Sequence, residues 1–342
     1  MTQTSSTPRE NHPAWRLLKR VLAVVGIVLL GVLAIILLLG LLPLSSQGLQ
    51  SEPDPAGTYE EAVARFQQVE QVEQGIVNDL GHSRLLVHSE KTPGVYVLVH
   101  GTTNSPEQWQ ELGDTLYNQG HNVLILRMPY HGLESHRVSQ LGQLSPQDLR
   151  AYADKAVDIA AGLGDEIVVA GISGGGAVTA WMAQNRPEVD RALLLAPFFG
   201  VHGVPDSADT LLMNAFSRLP NIVLDDPLEP RRDWVYRGEA TRGVAAFLAL
   251  GHNATQDARK GAIPAGQVIV VTTAKDNTAN NGATAKLVDL WQGAGAEVVT
   301  FEFEPSLDIP HNSVDPAADA AKKQLVYEQM LRLLGEEKVS SE

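Results

Sequence analysis

The stretch from Glu166 to Gln184, EIVVAGISGGGAVTAWMAQ, constrains the rest of the chain most strongly. It opens with an apolar β-branched run, Ile167-Val168-Val169-Ala170, and turns through Gly171-Ile172-Ser173-Gly174-Gly175-Gly176. A helical pattern follows, in which Ala177, Val178, Trp181 and Met182 share a face. Buried strand, tight glycine turn and helix form the setting in which G-x-S-x-G holds a serine out at a strand's C-terminal end. Glycine at 171 and 175 leaves room where any side chain would collide. Ser173 would stand above the positive end of the following helix, whose field favours an oxyanion. The same residues also suit a glycine-rich turn with a surface serine in some other α/β protein. Choosing between the two requires a base, an acid and oxyanion donors elsewhere in the chain, in a workable order.

The chain has 342 residues and no obvious internal repeat, enough for one large domain with a sizeable core plus additions. It contains no cysteine, which excludes disulfides, thiolate metal sites and a cysteine nucleophile. The formal charge is −14; residues 1–20 carry Arg9, Arg16, Lys19 and Arg20 against Glu10, leaving about −17 on the remainder. So acidic a body argues against nucleic acid as a partner and against an electrostatic grip on anionic lipid. Neither H-E-x-x-H nor G-x-x-x-x-G-K-[ST] occurs, so no metal and no organic cofactor is implied.

Val21 to Leu42 is an apolar and glycine run without a charge. At about 1.5 Å per residue it reaches roughly 33 Å, enough for a hydrocarbon core of roughly 30 Å. Trp15 precedes it as an interfacial anchor would. A cleaved signal peptide has a shorter apolar core and a small-residue cleavage site, which LLPLSSQG lacks. The expectation is a retained transmembrane signal-anchor over residues 21–42. Basic residues precede the run and none follows it before Arg65, so the positive-inside rule puts residues 1–20 in the cytoplasm and the body outside. Pro43 to Gly57, rich in Ser, Gln, Pro and Gly, reads as a linker to a domain over residues 58–342.

Within that domain, short apolar runs alternate with helical spacing. Strands are expected at 83–88, 95–99, 123–126, 167–170, 192–195, 268–272 and 298–303, and helices at 58–74, 106–119, 146–161, 283–291 and 317–334. This is the pattern of a mostly parallel sheet with helices on both faces, whose ligands bind beyond the carboxyl ends of the strands. From about Val95 to Leu334 the chain resembles the α/β-hydrolases, of the kind that includes bacterial carboxylesterases and monoacylglycerol lipases. HGTTNSPEQW is similar to the family's HG oxyanion segment, MPYHGLES to its P-x-HG-x-x-S stretch, and GISGG to its elbow. TAKDNTAN and IPHNSVD resemble its acid and base turns, and the order Ser, Asp, His is the family's order. Tyr130 and Leu133-Glu134 depart from the commonest form of the HG-x-S stretch.

Ser173 is the candidate nucleophile, and a serine hydroxyl needs a base. Of ten histidines, His311 follows the last expected strand in a polar loop from which an imidazole can reach back over the sheet. His100 sits beside Gly101 at a strand end and is better suited to holding the oxyanion loop, and His131 to stabilising its own turn. Asp276, just after the 268–272 strand, is the candidate acid; Asp308, close to His311 in sequence, is its rival. Backbone N–H groups of Gly174 and Thr102 are the candidate oxyanion donors.

Phe198 to Ile263 interrupts the alternation and is broken by Pro205, Pro220, Pro227 and Pro230. It reads as an inserted helical cap at about 198–263. The resemblance implies that such a cap shapes the acyl or alcohol pocket, with Phe198, Phe199 and Met213 as candidate pocket residues. The resulting expectation is a membrane-anchored serine hydrolase acting on small-molecule or lipid esters. Acyl transfer, thioester hydrolysis or peptide hydrolysis on the same residues, and an anchored binding module without catalysis, remain as alternatives.

Overall fold

The computed structural model describes residues 13–336, apart from 44–45, 226, 228–229 and 263–265. Residues 1–12 of the expected cytoplasmic segment, His12 among them, lie outside the described residues, as do the end of the cap insertion at Ile263 and the tail 337–342.

Among the described residues nine strands follow one another: β1 (Arg84–Leu86), β2 (Thr92–Val99), β3 (Asn122–Ile125), β4 (Gly164–Ile172), β5 (Arg191–Leu195), β6 (Val223–Asp225), β7 (Gly238–Ala240), β8 (Gln267–Thr273) and β9 (Val298–Phe303). Seven form one sheet in the order β1-β3-β2-β4-β5-β8-β9, parallel except for β1 at its edge. β6 and β7 pair with each other as a separate hairpin. β4 lies centrally because its apolar run is covered on both faces. Alternate side chains part company: Val169, Leu194 and Val268 enter one core, Val168, Leu193 and Ile269 the other.

The helices are α1 (Pro13–Leu41), α2 (Tyr59–Glu73), α3 (Gln110–Asn118), α4 (Val138–Leu141), α5 (Pro146–Ala160), α6 (Gly174–Asn185), α7 (Asp206–Arg218), α8 (Thr241–Arg259), α9 (Asn281–Gly293) and α10 (Ala320–Leu333). Their starts follow local chemistry. Ser145 and Asp148 close a capping box at α5, and the Asn280 and Asp319 side chains accept backbone N–H groups at α9 and α10. Asp319 is why the last helix begins at Ala320 rather than 317. The helix expected over 106–119 splits into a 3₁₀ turn at Pro106–Trp109 and then α3.

Two expectations about local character change. α6 is not amphipathic: Gly174 through Ala183 are all buried, because α6 packs between the sheet, α5 and α8. The segment after α1 is not a free tether along its described length. Leu49 and Ala56 are buried, and Trp181 Nε1–H donates to the Leu49 carbonyl at 3.1 Å. Ser51 and the Glu52 N–H bond the Asp154 carboxylate, and the Asp54 N–H bonds Asp158. Residues 46–57 form a strap across α5 and α6. Its polar composition suggested flexibility, but its donors are satisfied by carboxylates some hundred residues away.

The cap carries a hairpin as well as helices. α7 and α8 pack on each other, and α8 packs on α6. α7 also meets the C-terminal end of α1: Asn214 Nδ2–H donates to the Gly40 carbonyl at 2.8 Å, and Arg218 to the carbonyls of Leu39 and Pro43 at 3.2 and 2.8 Å. These bonds satisfy carbonyls that the end of α1 would otherwise leave without donor partners.

Candidate active site

Ser173 follows the last residue of β4 and precedes the first of α6, with φ +56° and ψ −122°. A non-glycine residue held in this region costs about 1–3 kcal/mol and persists only where its surroundings determine it. Here they do. The Ser173 N–H donates to the Leu195 carbonyl at 3.0 Å, and its carbonyl accepts from the Phe198 N–H at 2.9 Å. A Cβ on Gly171 would strike the Gly175 carbonyl and the Thr179 hydroxyl, and one on Gly175 the carbonyls of Val99 and His100. The glycines permit the turn, and the turn sets the serine.

His311 lies in the turn beyond β9, fixed by the Thr273 hydroxyl donating to the Ile309 carbonyl at 2.7 Å. Its Nε2 is 2.8 Å from Ser173 Oγ, and its Nδ1 is 2.7 Å from Asp276 Oδ2. The other oxygen of Asp276 accepts the Thr278 and Ala279 N–H groups, each at 2.8 Å. Burial pushes the Asp276 carboxyl up, but its bond to His311, that ring's charge and the two amides together hold it below the ordinary carboxylate range. An ionised Asp276 accepts the hydrogen bond from the Nδ1–H of a neutral imidazole and leaves the Nε2 lone pair facing the serine hydroxyl. The rival acid turns away: Asp308 is exposed and paired with Lys275 and Lys322 at 3.0 and 2.9 Å.

The segment 100–103 passes over the elbow. A Cβ on Gly101 would lie 3.6 Å from Ser173 Cβ, and one on Gly174 would meet Thr102 Cγ2 at 2.5 Å. Gly174 is the first residue of α6, so its N–H has no acceptor within the helix. His100 is fully buried; its Nδ1–H donates to the Gly101 carbonyl and its Nε2 accepts from the Met128 N–H. Burial, then the neighbouring His131, drives its pKa well down. His131 sets each ring nitrogen 2.8 Å from a carbonyl, Pro129 on one side and Thr102 on the other. Burial lowers its pKa to about 4, so the ring is neutral near pH 7 and only one of the two contacts carries a proton.

The pocket candidates separate. Phe199 and Met213 line one small cavity of about 90 Å³ with Leu248 and His252. Met213 and His252 also line an adjoining cavity of about 220 Å³ closed by Gly40, Leu41 and Pro43 at the end of α1. Phe198 lines neither; it is core, tied to the elbow through its N–H. Three residues by the site escaped the sequence reading. Phe247 of α8 would lie 2.8 Å from a Cβ on Gly174, the Tyr236 N–H donates to the Thr103 carbonyl at 2.9 Å, and Glu239 accepts the Thr102 hydroxyl at 3.0 Å. Phe247 stood out only as one of many apolar cap residues, and nothing in the sequence singles out the other two. A larger cleft of about 720 Å³, lined by residues including Glu73, Arg127, Arg150 and Tyr152, contains none of these groups. Among the described residues no cluster of three or more His, Asp or Glu side chains is arranged to hold a metal ion.

Residues 96–316 match the family model described as the alpha/beta hydrolase family. A relative named as a probable lysophospholipase L2 of Haemophilus influenzae is 25% identical over 144 residues, covering 40% of this chain and 45% of that protein. The match thus spans less than half the length of that relative. Among solved structures, the monoacylglycerol lipase of Paleococcus ferrophilus is similar at a TM-score of 0.56, with 15% identity over 74% of this chain and 97% of that one. A metagenome-derived lipolytic enzyme gives a TM-score of 0.54, with 18% identity over 76% and 100%. At these identities the likeness is one of fold.

Proposed function

The chain belongs to the α/β-hydrolase family, and from that premise we propose that it is a serine hydrolase cleaving carboxylic esters through an acyl-enzyme. The observation that carries the reading is the continuous relay from Ser173 Oγ to His311 Nε2 at 2.8 Å and from His311 Nδ1 to Asp276 at 2.7 Å. In this reading Ser173 Oγ attacks the ester carbonyl carbon while its proton passes to His311 Nε2. Asp276 stabilises the imidazolium so formed. The N–H groups of Gly174 and Thr102 hold the oxyanion. Collapse of the tetrahedral species expels the alcohol, which takes the proton from His311. Water then repeats the sequence on the acyl-serine and releases the acid.

We assign α1 as the membrane span. It is 29 residues long, and its most apolar stretch is not buried in the protein. Arg16, Lys19 and Arg20 sit at its N-terminal side, which supports a cytoplasmic N-terminus with the hydrolase domain outside. Lipid esters suit a capped site joined to such a helix, and the names of the lipolytic relatives favour the same class.

A fluorophosphonate probe tests the chemistry: a covalent adduct is expected on Ser173 and absent from Ser173→Ala, whose kcat falls by on the order of 10⁴- to 10⁶-fold. A folded protein that takes no adduct, or an alanine variant that still turns over ester, overturns the proposal. A series of p-nitrophenyl esters of increasing acyl length then defines the substrate class.

A further inference from the structure

We propose that Glu239 is a positioning residue: it holds Thr102 of the oxyanion loop through the threonine hydroxyl, and its ionisation opposes the reaction. The inference rests on the reading that the Thr102 and Gly174 N–H groups receive the oxyanion.

Glu239 is set by the cap and not by the catalytic sheet. It is the middle residue of β7, opposite Leu224 of β6, and a Cβ on Gly238 would strike the Leu224 carbonyl, so the two strands lie close. Tyr236, just before β7, ties this hairpin to the oxyanion loop. Its N–H donates to the Thr103 carbonyl at 2.9 Å, and its hydroxyl donates to the Tyr130 carbonyl at 3.1 Å. Ala240, just after Glu239, is buried against Leu141 and Tyr236. With its neighbours fixed, Glu239 Oε1 accepts the Thr102 hydroxyl at 3.0 Å. Thr102 is thus restrained at two atoms, its hydroxyl by Glu239 and its methyl against Gly174.

No cation offsets this carboxyl among the described residues. On β6, Asp225 pairs with Arg237 at 3.2 Å. On α8, Arg242 donates to the Leu219 carbonyl. Arg127 is engaged by Glu73. His136 Nε2 meets the Val235 carbonyl, and neutral His131 spends its ring on carbonyls. Glu239 is only half-buried, its carboxyl end turned inward toward Thr102; that burial pushes the carboxyl up to about 7, and the Thr102 hydroxyl draws it down only in part. Protonated, Glu239 still accepts the Thr102 hydroxyl and adds no charge. Ionised, it places a negative charge one residue's reach from a forming oxyanion, where like charge raises the barrier. Glu239 thus supplies a limit to the rate in alkali.

The test uses the full chain in detergent micelles or nanodiscs with p-nitrophenyl butyrate, read at the isosbestic wavelength from about pH 5 to about pH 9; kcat and KM are taken in absolute terms, and the shapes of the wild-type and Glu239→Gln profiles are compared after normalising each to its own rate at about pH 6.5. Wild type is expected to lose kcat on the order of ten-fold across the alkaline side, the rate equivalent of about 1.4 kcal/mol. Glu239→Gln, which keeps the acceptor and removes the charge, is expected to lose that limb. Glu239→Ala, which frees Thr102, is expected to lower kcat on the order of ten-fold at every pH with KM little changed, as removal of an interaction made only in the transition state does. An alkaline limb in Glu239→Gln equal to that of wild type overturns the inference, as does Glu239→Ala with wild-type kcat. Ser173→Ala separates the two levels: if it is inactive while Glu239→Gln behaves as wild type, only the role of Glu239 falls. If it turns over ester, the serine mechanism falls with it.

Discussion

Side chains that interact across the chain decide the chemistry, and they differ in how plainly they show in the sequence. Ser173, Asp276 and His311 stand out because each follows a strand, and a parallel sheet brings all its strand ends to one edge. Strand position favours Asp276 as the acid, and proximity in sequence favours Asp308. The Asp276 carboxylate lies 2.7 Å from His311 Nδ1, and Asp308 occupies a left-handed turn facing two lysines. Asp276→Asn is therefore expected to cost kcat on the order of 10³- to 10⁴-fold by presenting the wrong imidazole tautomer, while Asp308→Asn stays within a few fold; steady-state ester hydrolysis separates them, and the reverse ranking would refute the assignment. Glu239 was illegible because a glutamate in a three-residue strand carries no signal, and its partner lies 137 positions away. It also makes a prediction that involves no catalysis. Its folded pKa is raised from 4.5 to about 7, so its contribution to stability is whole below about pH 4.5 and drains away as pH rises through about 7. Urea midpoints should show wild type losing ground to Glu239→Gln between about pH 5 and about pH 8.5, and parallel pH dependences would contradict the burial argument.

At the level of elements, what the sequence showed depended on whether a segment's pattern was local. The central strand, the elbow and the main helices carry their own periodicity and caps, and the structure differs from the expectation mainly at their ends. The strap at 46–57 and the hairpin β6–β7 carry none, since their order comes from what they lie against. The strap depends on carboxylates that also serve the core. Asp154 accepts from Ser51 and Glu52 on one side and sits 3.2 Å from Arg186 on the other, and Arg186 is fully buried among Asp154, Asp158 and Glu188. Removing one partner of a buried ion pair leaves the other charge uncompensated and typically costs about 3–5 kcal/mol. Asp154→Ala is expected to approach that loss in denaturant unfolding and to speed amide exchange over residues 50–56. A loss below about 1 kcal/mol would mean that Asp158 and Glu188 hold Arg186 without it.

Across the whole molecule, the apolar helix α1 and the cap pack directly on each other. The run at 21–42 was legible as a long apolar helix from its composition alone, but its connection to the domain was not. A linker rich in Ser, Pro and Gly suggests a domain free to drift from the bilayer, whereas Asn214 and Arg218 of α7 grip the last carbonyls of α1 directly. A Cβ on Gly40 would lie 2.6 Å from Leu211 Cγ, so this glycine permits the close approach of the two helices. α7 packs on α8, α8 packs on α6, and Phe247 of α8 reaches the residue next to Ser173. If α1 spans a bilayer, the cap is held at its surface and the cavity at Met213 and His252 opens against the helix end. A lipid ester would then reach the cap without crossing water, while a soluble ester would gain nothing from the grip. The double variant Asn214→Ala, Arg218→Ala should accordingly leave turnover of p-nitrophenyl butyrate within about two-fold of wild type. In proteoliposomes it should slow hydrolysis of a long-chain monoacylglycerol by several-fold, the rate equivalent of about 1 kcal/mol. Amide exchange over α7 should rise in the same variant. If exchange rises and both substrates are turned over as by wild type, the grip is structural only and the cap does not receive substrate from the membrane side.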